Sequence, residues 1–350
     1  MATTRKPVLV AVLLGVAGAV VATVLGFLTF GAQATVAPHG VPLAVASPPG
    51  RLHEAAVRVA QQGGDAVDWH VTDPAAAREL LADKDVYGIL ELGGGAQGVE
   101  LTIVTSGAVN PQGTLAATQV LTGVSQGLAG ALAQQGVTVS PPHLETVRAA
   151  SVAARTAPLA ASALLWLGGL VAALGFGLLV VRGGMRPGPL SRAVLMLSVS
   201  VGATAVVAGF LTLWDSSLTL GWDVLGFIFL TAVAFAAVQG ALLRILRLRA
   251  VAILGPLYLI APAVAGQVPE MLNPAYRALL WSWTPFRFST EGLRSLLLGT
   301  PDAPDVRTGV VVLASMAVVG LVVLLWPGGS RVEPPVPAGT GEPALSRAGS

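Results

Sequence analysis

"RGGMRPGPLSR", Arg182–Arg192, decides how this chain is read. It carries three arginines and no acid, and an apolar run lies on each side: Pro158–Val181 before it and Ala193–Trp214 after it. Neither run holds a charged residue. A helix needs about 20 mostly apolar residues to cross roughly 30 Å of hydrocarbon. Both runs meet that length, so the arginine stretch reads as a short loop between two membrane spans. Working outward, Val8–Phe30, Trp222–Leu243, Val251–Pro269 and Thr308–Trp326 bring the number of spans to six. Pro256 and Pro262 interrupt Val251–Pro269, which a membrane helix buried among neighbours tolerates.

Short basic loops stay on the cytoplasmic side. "RILRLR", Arg244–Arg249, again has no acid, and Arg5 and Lys6 precede the first run. In a six-span arrangement all three clusters share one side, which predicts a plasma-membrane protein with both termini in the cytoplasm. A cleaved secretory signal ending at "AQA", Ala32–Ala34, is the rival reading of the first run. Its uninterrupted apolar length exceeds the usual signal core of about 7–15 residues, so an uncleaved anchor is expected.

Composition agrees with a bilayer as the main partner. Hydrophobic residues make up 54% and charged residues 11%, and the mean hydropathy is +0.75. These values lie outside the usual range of soluble domains. The isoelectric point near 9.4 comes with arginines clustered beside apolar runs, a pattern of membrane orientation that predicts no nucleic-acid partner. There is no cysteine, which excludes disulfides, thiolate metal sites and thiol nucleophiles.

Residues 31–157 differ from the rest. Six basic residues face ten acids there, and all four histidines fall in this segment. "HGVPLAVASP" reads as a strand and "RLHEAAVRVAQQ" as a helix with an apolar stripe. "DAVDWHVT" alternates like a strand. "DPAAARELLAD" opens a helix, with Asp73 as its N-cap and Pro74 at the first helical position. "VYGILEL" and "VELTIVTSG" form a strand pair around the glycine-rich turn Gly93–Gly98, a long helix follows from "NPQG", and "VTVS" is a closing strand. The expectation is an α/β domain inserted between the first two spans, outside the cytoplasm.

No catalytic pattern emerges. Asp68 and His70 share a strand face, and His53 and His143 are further candidates, but polar residues on a half-exposed surface account for all four. HExxH and GxSxG are absent. Neither lysine, Lys6 or Lys84, follows a glycine, so no phosphate-binding GxxxxGK[ST] loop exists. No enzyme activity, cofactor or metal is expected. The spans are equally bare: they contain no Asp, Glu, His, Lys or Arg away from their edges, and Gln239 is their most polar deep side chain. Transport coupled to protons or ions generally needs such groups. Any transport is then driven from elsewhere.

The segment 270–307 joins the last two spans on the outer side. "NPAYRALLWSW" places Tyr276, Leu279, Leu280 and Trp283 at helical spacing, and Thr284–Pro285 starts a second short helix. There Arg287, Glu291 and Arg294 fall at i, i+4 and i+7, one polar stripe. The expectation is an amphipathic pair at the membrane surface, with rings in the headgroup layer and the stripe in water. The residues Pro285, Phe286, Arg287, Glu291 and Arg294 are the candidate outer gate.

One span, an outer α/β domain, four spans, a proline-led amphipathic segment and a final span together resemble an ABC-2 type permease, most closely the YhgE/Pip-like (phage infection protein) branch. "VTDPAAARELLADKDVYGILEL" is similar to that branch's strand, alanine-rich helix and Tyr-Gly strand. Pro285, Phe286, Glu291, Leu293 and Arg294 match its outer motif. The resemblance implies an export permease working as a homo- or heterodimer with a separate ABC ATPase. An amphipathic helix ahead of the first span is not expected, which leaves Arg182, Arg186 and Arg192 as the candidate cytoplasmic coupling loop. The alternative is a non-transporting envelope protein whose outer domain binds a partner, wall polymer or phage. The regions are then 1–30, stub and first span; 31–157, outer domain; 158–326, remaining spans; and 327–350, a Pro-, Gly- and Ser-rich tail expected to be disordered.

Overall fold

The computed structural model describes residues 5–95, 98–184, 187–298 and 300–326. The chain starts with a long helix, α1 (Arg5–Ala34), whose apolar side chains from Val8 to Val24 are exposed all round. Only its C-terminal third is packed.

A five-stranded sheet follows, ordered β2-β1-β3-β4-β5. Its strands are β1 (Val41–Ala46), β2 (Val67–Thr72), β3 (Ile89–Gly95), β4 (Gly98–Ser106) and β5 (His143–Val147). β3 and β4 form an antiparallel hairpin and the other pairs are parallel. Helices α2 (Arg51–Gln61), α3 (Pro74–Asp83) and α4 (Pro111–Gln134) cover it. Because side chains alternate along a strand, β1 serves two cores. Val41, Leu43 and Val45 pack with Ala55 and Ala56 of α2 and Ala117 and Leu121 of α4, while Ala44 and Ala46 pack with Ala77 and Leu81 of α3. A strand covered on both faces reads as a continuous apolar run, which is why "VPLAVA" lacks polar alternation.

The start of α3 forms as its residues dictate: Asp73 accepts hydrogen bonds from the amides of Ala75 and Ala76, and Pro74 occupies the first turn. The closing strand differs from expectation. "VTVS" contributes only the isolated bridge Val139–Val99, and β5 is "HLETV". Gly98 explains the bridge, since its φ of +130° suits glycine and an added Cβ would sit 2.1 Å from the Thr138 carbonyl oxygen.

After the sheet come α5 (Val152–Gly183), α6 (Pro189–Trp214), α7 (Trp222–Leu246), α8 (Val251–Ala265), the short α9 (Pro274–Tyr276), α10 (Pro285–Leu297) and α11 (Pro304–Leu325). Among the described residues, five stretches are helical, long and apolar enough to cross a membrane: Val8–Ala34, Val152–Gly183, Pro189–Trp214, Trp222–Ala265 and Pro304–Leu325. This is the pattern of a helical membrane protein. The fourth, 44 residues long, is broken by a tight turn at Arg247–Ala250, where Arg247 has φ +53°. It divides into α7 and α8. The latter, at 15 residues, rises about 22 Å and is shorter than an ordinary span.

The start of α5 lies upstream of Pro158. Ser151 accepts a hydrogen bond from the Ala154 amide as N-cap, and Pro158 stands inside the helix. Small residues let helices approach closely: an added Cβ at Gly320 of α11 would lie 2.7 Å from the Ala237 backbone of α7. Gln239, fully buried on α7, donates Nε2 to the Trp166 carbonyl of α5 at 2.8 Å. This is the interhelical bond expected of a lone amide at depth. The packed part of α1 rests on α8, where Leu25, Leu28 and Ala32 meet Ile260 and Val264.

Candidate functional site

Helix α10 is packed deep in the molecule, which corrects the sequence reading of its polar stripe, while Leu279 and Trp283 of the preceding stretch stay exposed. After α9 the chain makes a wide π-type turn at Arg277–Trp281 and enters α10 through Thr284 and Pro285. Phe286 is fully buried, with ring centroids 5.4 Å from both Trp166 of α5 and Phe235 of α7. Ser289 donates to the Ser162 hydroxyl of α5 at 2.8 Å. Gly292 faces Phe227, whose ring a Cβ would meet at 2.4 Å. One face of α10 is therefore core of the helical bundle.

The polar stripe faces the sheet instead of open water. The Arg294 side chain is 3% exposed and pairs with Glu291, which is 21% exposed. Glu291 also accepts a hydrogen bond from Asn110 Nδ2 at 3.1 Å. Asn110 simultaneously caps α4, its Oδ1 accepting from the Gln112 amide. Lys84, which ends α3 in a left-handed conformation, donates to Ser295 Oγ at 2.5 Å and to Asp305 Oδ2 at 3.0 Å. Tyr87 donates its hydroxyl to Glu270 at 2.8 Å, and Arg148 donates to the Leu298 carbonyl. Arg287 departs from the stripe: its guanidinium lies 3.7 Å from the Trp281 ring centroid and 4.3 Å from that of Phe288.

Topology explains the convergence. Lys84 and Tyr87 precede β3, Asn110 follows β4 and Arg148 follows β5, so all four stand at one end of the sheet. The glycine-rich hairpin stands at the other. Burial favours the neutral form of the Glu291 carboxyl. The positive charges of Arg294 and Lys84 and the bonds from Arg294 and Asn110 outweigh it, and the carboxyl is held below its ordinary range. Burial, with Glu270 beside it, pushes the Tyr87 phenol far above its ordinary value, so it remains a proton donor.

The arginines form a second cluster at the opposite end of the bundle. Arg192 donates to the Leu324 carbonyl at 3.3 Å, and Arg244 donates to Val323 at 2.6 Å and Leu324 at 2.8 Å, tying α6 and α7 to the end of α11. Arg182 is exposed, and Arg186 lies outside the described residues, as does the tail 327–350. Arg192, Arg244 and Arg247 border a cavity of about 490 Å³ between α5, α6 and α7.

The histidine candidates assemble no site. His70 lies 3.8 Å from Asp68 on the surface, and His53 meets the Ser47 hydroxyl at 3.4 Å. Among the described residues no three His, Asp or Glu side chains are grouped to hold a metal. Sequence reasoning missed Lys84, Tyr87, Asn110, Asp305 and Ser295. Only Asn110 carries a local signal, the Asn-Pro pair of a helix start, and nothing local shows that its other end reaches α10. The chain matches no protein family, no curated protein and no solved structure.

Proposed function

We propose that this chain is the membrane permease subunit of an ABC-2-like exporter, with six spans, both termini cytoplasmic and the sheet domain outside. The observation that carries this reading is the position of α10. It packs against α5 and α7 on one side and receives Lys84, Asn110 and Arg148 from the sheet on the other. A helix held in this way transmits displacement between the outer domain and the spans, which is what an outer gate needs. The candidate gate residues then act as the core of a joint, with Phe286 anchoring it in the bundle and Glu291 and Arg294 joining it to the sheet.

The direction of the helices supports the proposed topology. α5, α7 and α11 run from the sheet end to the arginine end, while α6 and α8 return, so the arginine clusters share one side. On this reading the short α8 counts as the fifth span, lengthened at its start by the turn Arg247–Ala250. The bareness of the spans leaves the energy to a separate ATPase, engaged by the loop carrying Arg182, Arg186 and Arg192.

The test is purification of the full chain in mild detergent from its native membrane, with subunits identified by mass spectrometry. An ATPase subunit co-purifying with the wild type, and lost when Arg182 and Arg186 become Glu, is the expected result. A chain that purifies without any ATPase, from cells in which it is functional, overturns the export reading in favour of an envelope-binding protein.

A further inference from the structure

The cavity at the arginine end combines two chemistries. Its walls are apolar, from Ala172 and Phe176 of α5, Val199 of α6 and Ala236 of α7. Its rim is cationic, with Arg192, Arg244 and Arg247, and none of the three pairs with a carboxylate among the described residues. A guanidinium has five N–H donors. Arg192 gives one to the Leu324 carbonyl, while Arg244 is more committed, capping the end of α11 through Val323, Leu324 and Trp326. The N-terminus of α6 has no side-chain cap, and its positive end lies at the same rim, next to Pro187. The volume falls within the range of about 300–1,000 Å³ typical of ligand sites.

A soluble anion would satisfy the rim and leave the apolar walls facing water. A neutral apolar molecule would fill the walls and leave three positive charges without a counter-charge. An anionic amphiphile satisfies both. Leu248 and Val181, 43% and 62% exposed, also line the cavity, so it opens beside exposed apolar side chains, as an acyl chain entering from a bilayer requires.

We propose that the cavity binds one anionic phospholipid from the leaflet at the arginine end. Arg192 and Arg247 hold its phosphate, with Arg244 behind them, and an acyl chain runs inward past Phe176 and Val199. The inference does not depend on export, because a bound lipid serves as a structural cofactor or as cargo equally well, and binding is measured with no ATPase present.

The experiment uses the full chain purified in mild detergent and titrated with phosphatidylglycerol, phosphatidylcholine or inorganic phosphate, with bound lipid counted by native mass spectrometry. One phosphatidylglycerol per chain is expected, preferred over phosphatidylcholine and undisturbed by millimolar phosphate. Arg192→Gln with Arg247→Gln should weaken it roughly 30-fold, since each arginine near an anionic headgroup contributes about fivefold. Arg247 is exposed, so Arg247→Gln alone keeps the test valid if the double variant misfolds; about a fivefold loss is then expected. Gly177→Leu has open space for its Cβ and should block binding by filling the cavity with every arginine intact. Equal binding of the two lipids, displacement by inorganic phosphate, or unchanged binding in Arg247→Gln or Gly177→Leu overturns the proposal.

Discussion

Glu291→Gln leaves a buried charge stranded at the centre of the junction. The Arg294 side chain is 3% exposed, and its Nε has no hydrogen-bond partner even with Glu291 in place. Removing one member of a buried ion pair costs about 3–5 kcal/mol, because the charge that remains keeps its desolvation penalty. At about 2–4 °C per kcal/mol, the scale for domains of 150–250 residues, the single variant should lose about 10 °C in Tm. Adding Arg294→Met removes the stranded charge and retains an unbranched side chain that fills the space. The double variant should recover most of the loss, since replacing both partners of such a pair is often neutral. The assay is a thermal scan of the full chain in mild detergent, with hydrogen exchange followed over 285–297 and 106–112. A single variant within about 1 °C of wild type would mean that water screens the pair. A double variant as unstable as the single would shift the cause to the lost charge on the Asn110 hydrogen bond.

Three further outcomes follow from the contacts described above. The Glu291 carboxyl is held below its ordinary pKa, so its contribution is complete above about pH 5 and falls as pH drops through the lowered value; Tm should decline below about pH 4, with a shallower decline in Glu291→Gln. Arg78 forms paired hydrogen bonds to both Glu91 and Glu145 but is 42% exposed, so Arg78→Ala should cost only about 1 kcal/mol, read as a small Tm shift. Gly320→Leu should cost about 1–3 kcal/mol or more by pushing α11 off α7, whereas Gly209→Ala, with nothing within 4 Å of its added Cβ, should leave Tm unchanged.

Local chemistry was legible in the sequence and distant pairing was not. Asp73–Pro74 and the Gly93–Gly98 hairpin follow from residues a few positions apart, and the apolar runs follow from composition. The start of α5 was misplaced because Pro158 suggested a boundary while the capping signal of Ser151 lay upstream. The stripe of α10 was recognised as polar, yet its environment depends on Asn110 and Lys84, about two hundred residues earlier in the chain. Helical periodicity shows that a face is polar and cannot show whether water or a folded domain meets it. The same limit applies to Leu293, which is 2% exposed in the bundle core, so a charge placed there would break packing instead of re-aiming a surface helix.

The contact between Lys84 and Asp305 also bears on the order of biogenesis. It joins residues 221 positions apart, and the Lys84 side chain is 9% exposed once it is made. During synthesis at about 5–20 residues per second, the sheet waits roughly 10–40 s between the emergence of Lys84 and that of its partner. Throughout that interval the lysine lacks this partner, and its other contacts at the junction, with α10, become available only about ten residues before it. Pulse-labelled chains should therefore pass through a stage in which the sheet resists protease while the connection to α10 is cut, and that stage should close as α10 docks and be complete once α11 brings in Asp305. Chains stopped before Pro304 keep the Ser295 and Glu291 contacts and lack the Asp305 ion pair, so their connection should stay more open to protease than in the full chain, which makes the last helix the latch on an assembly whose first parts were made long before.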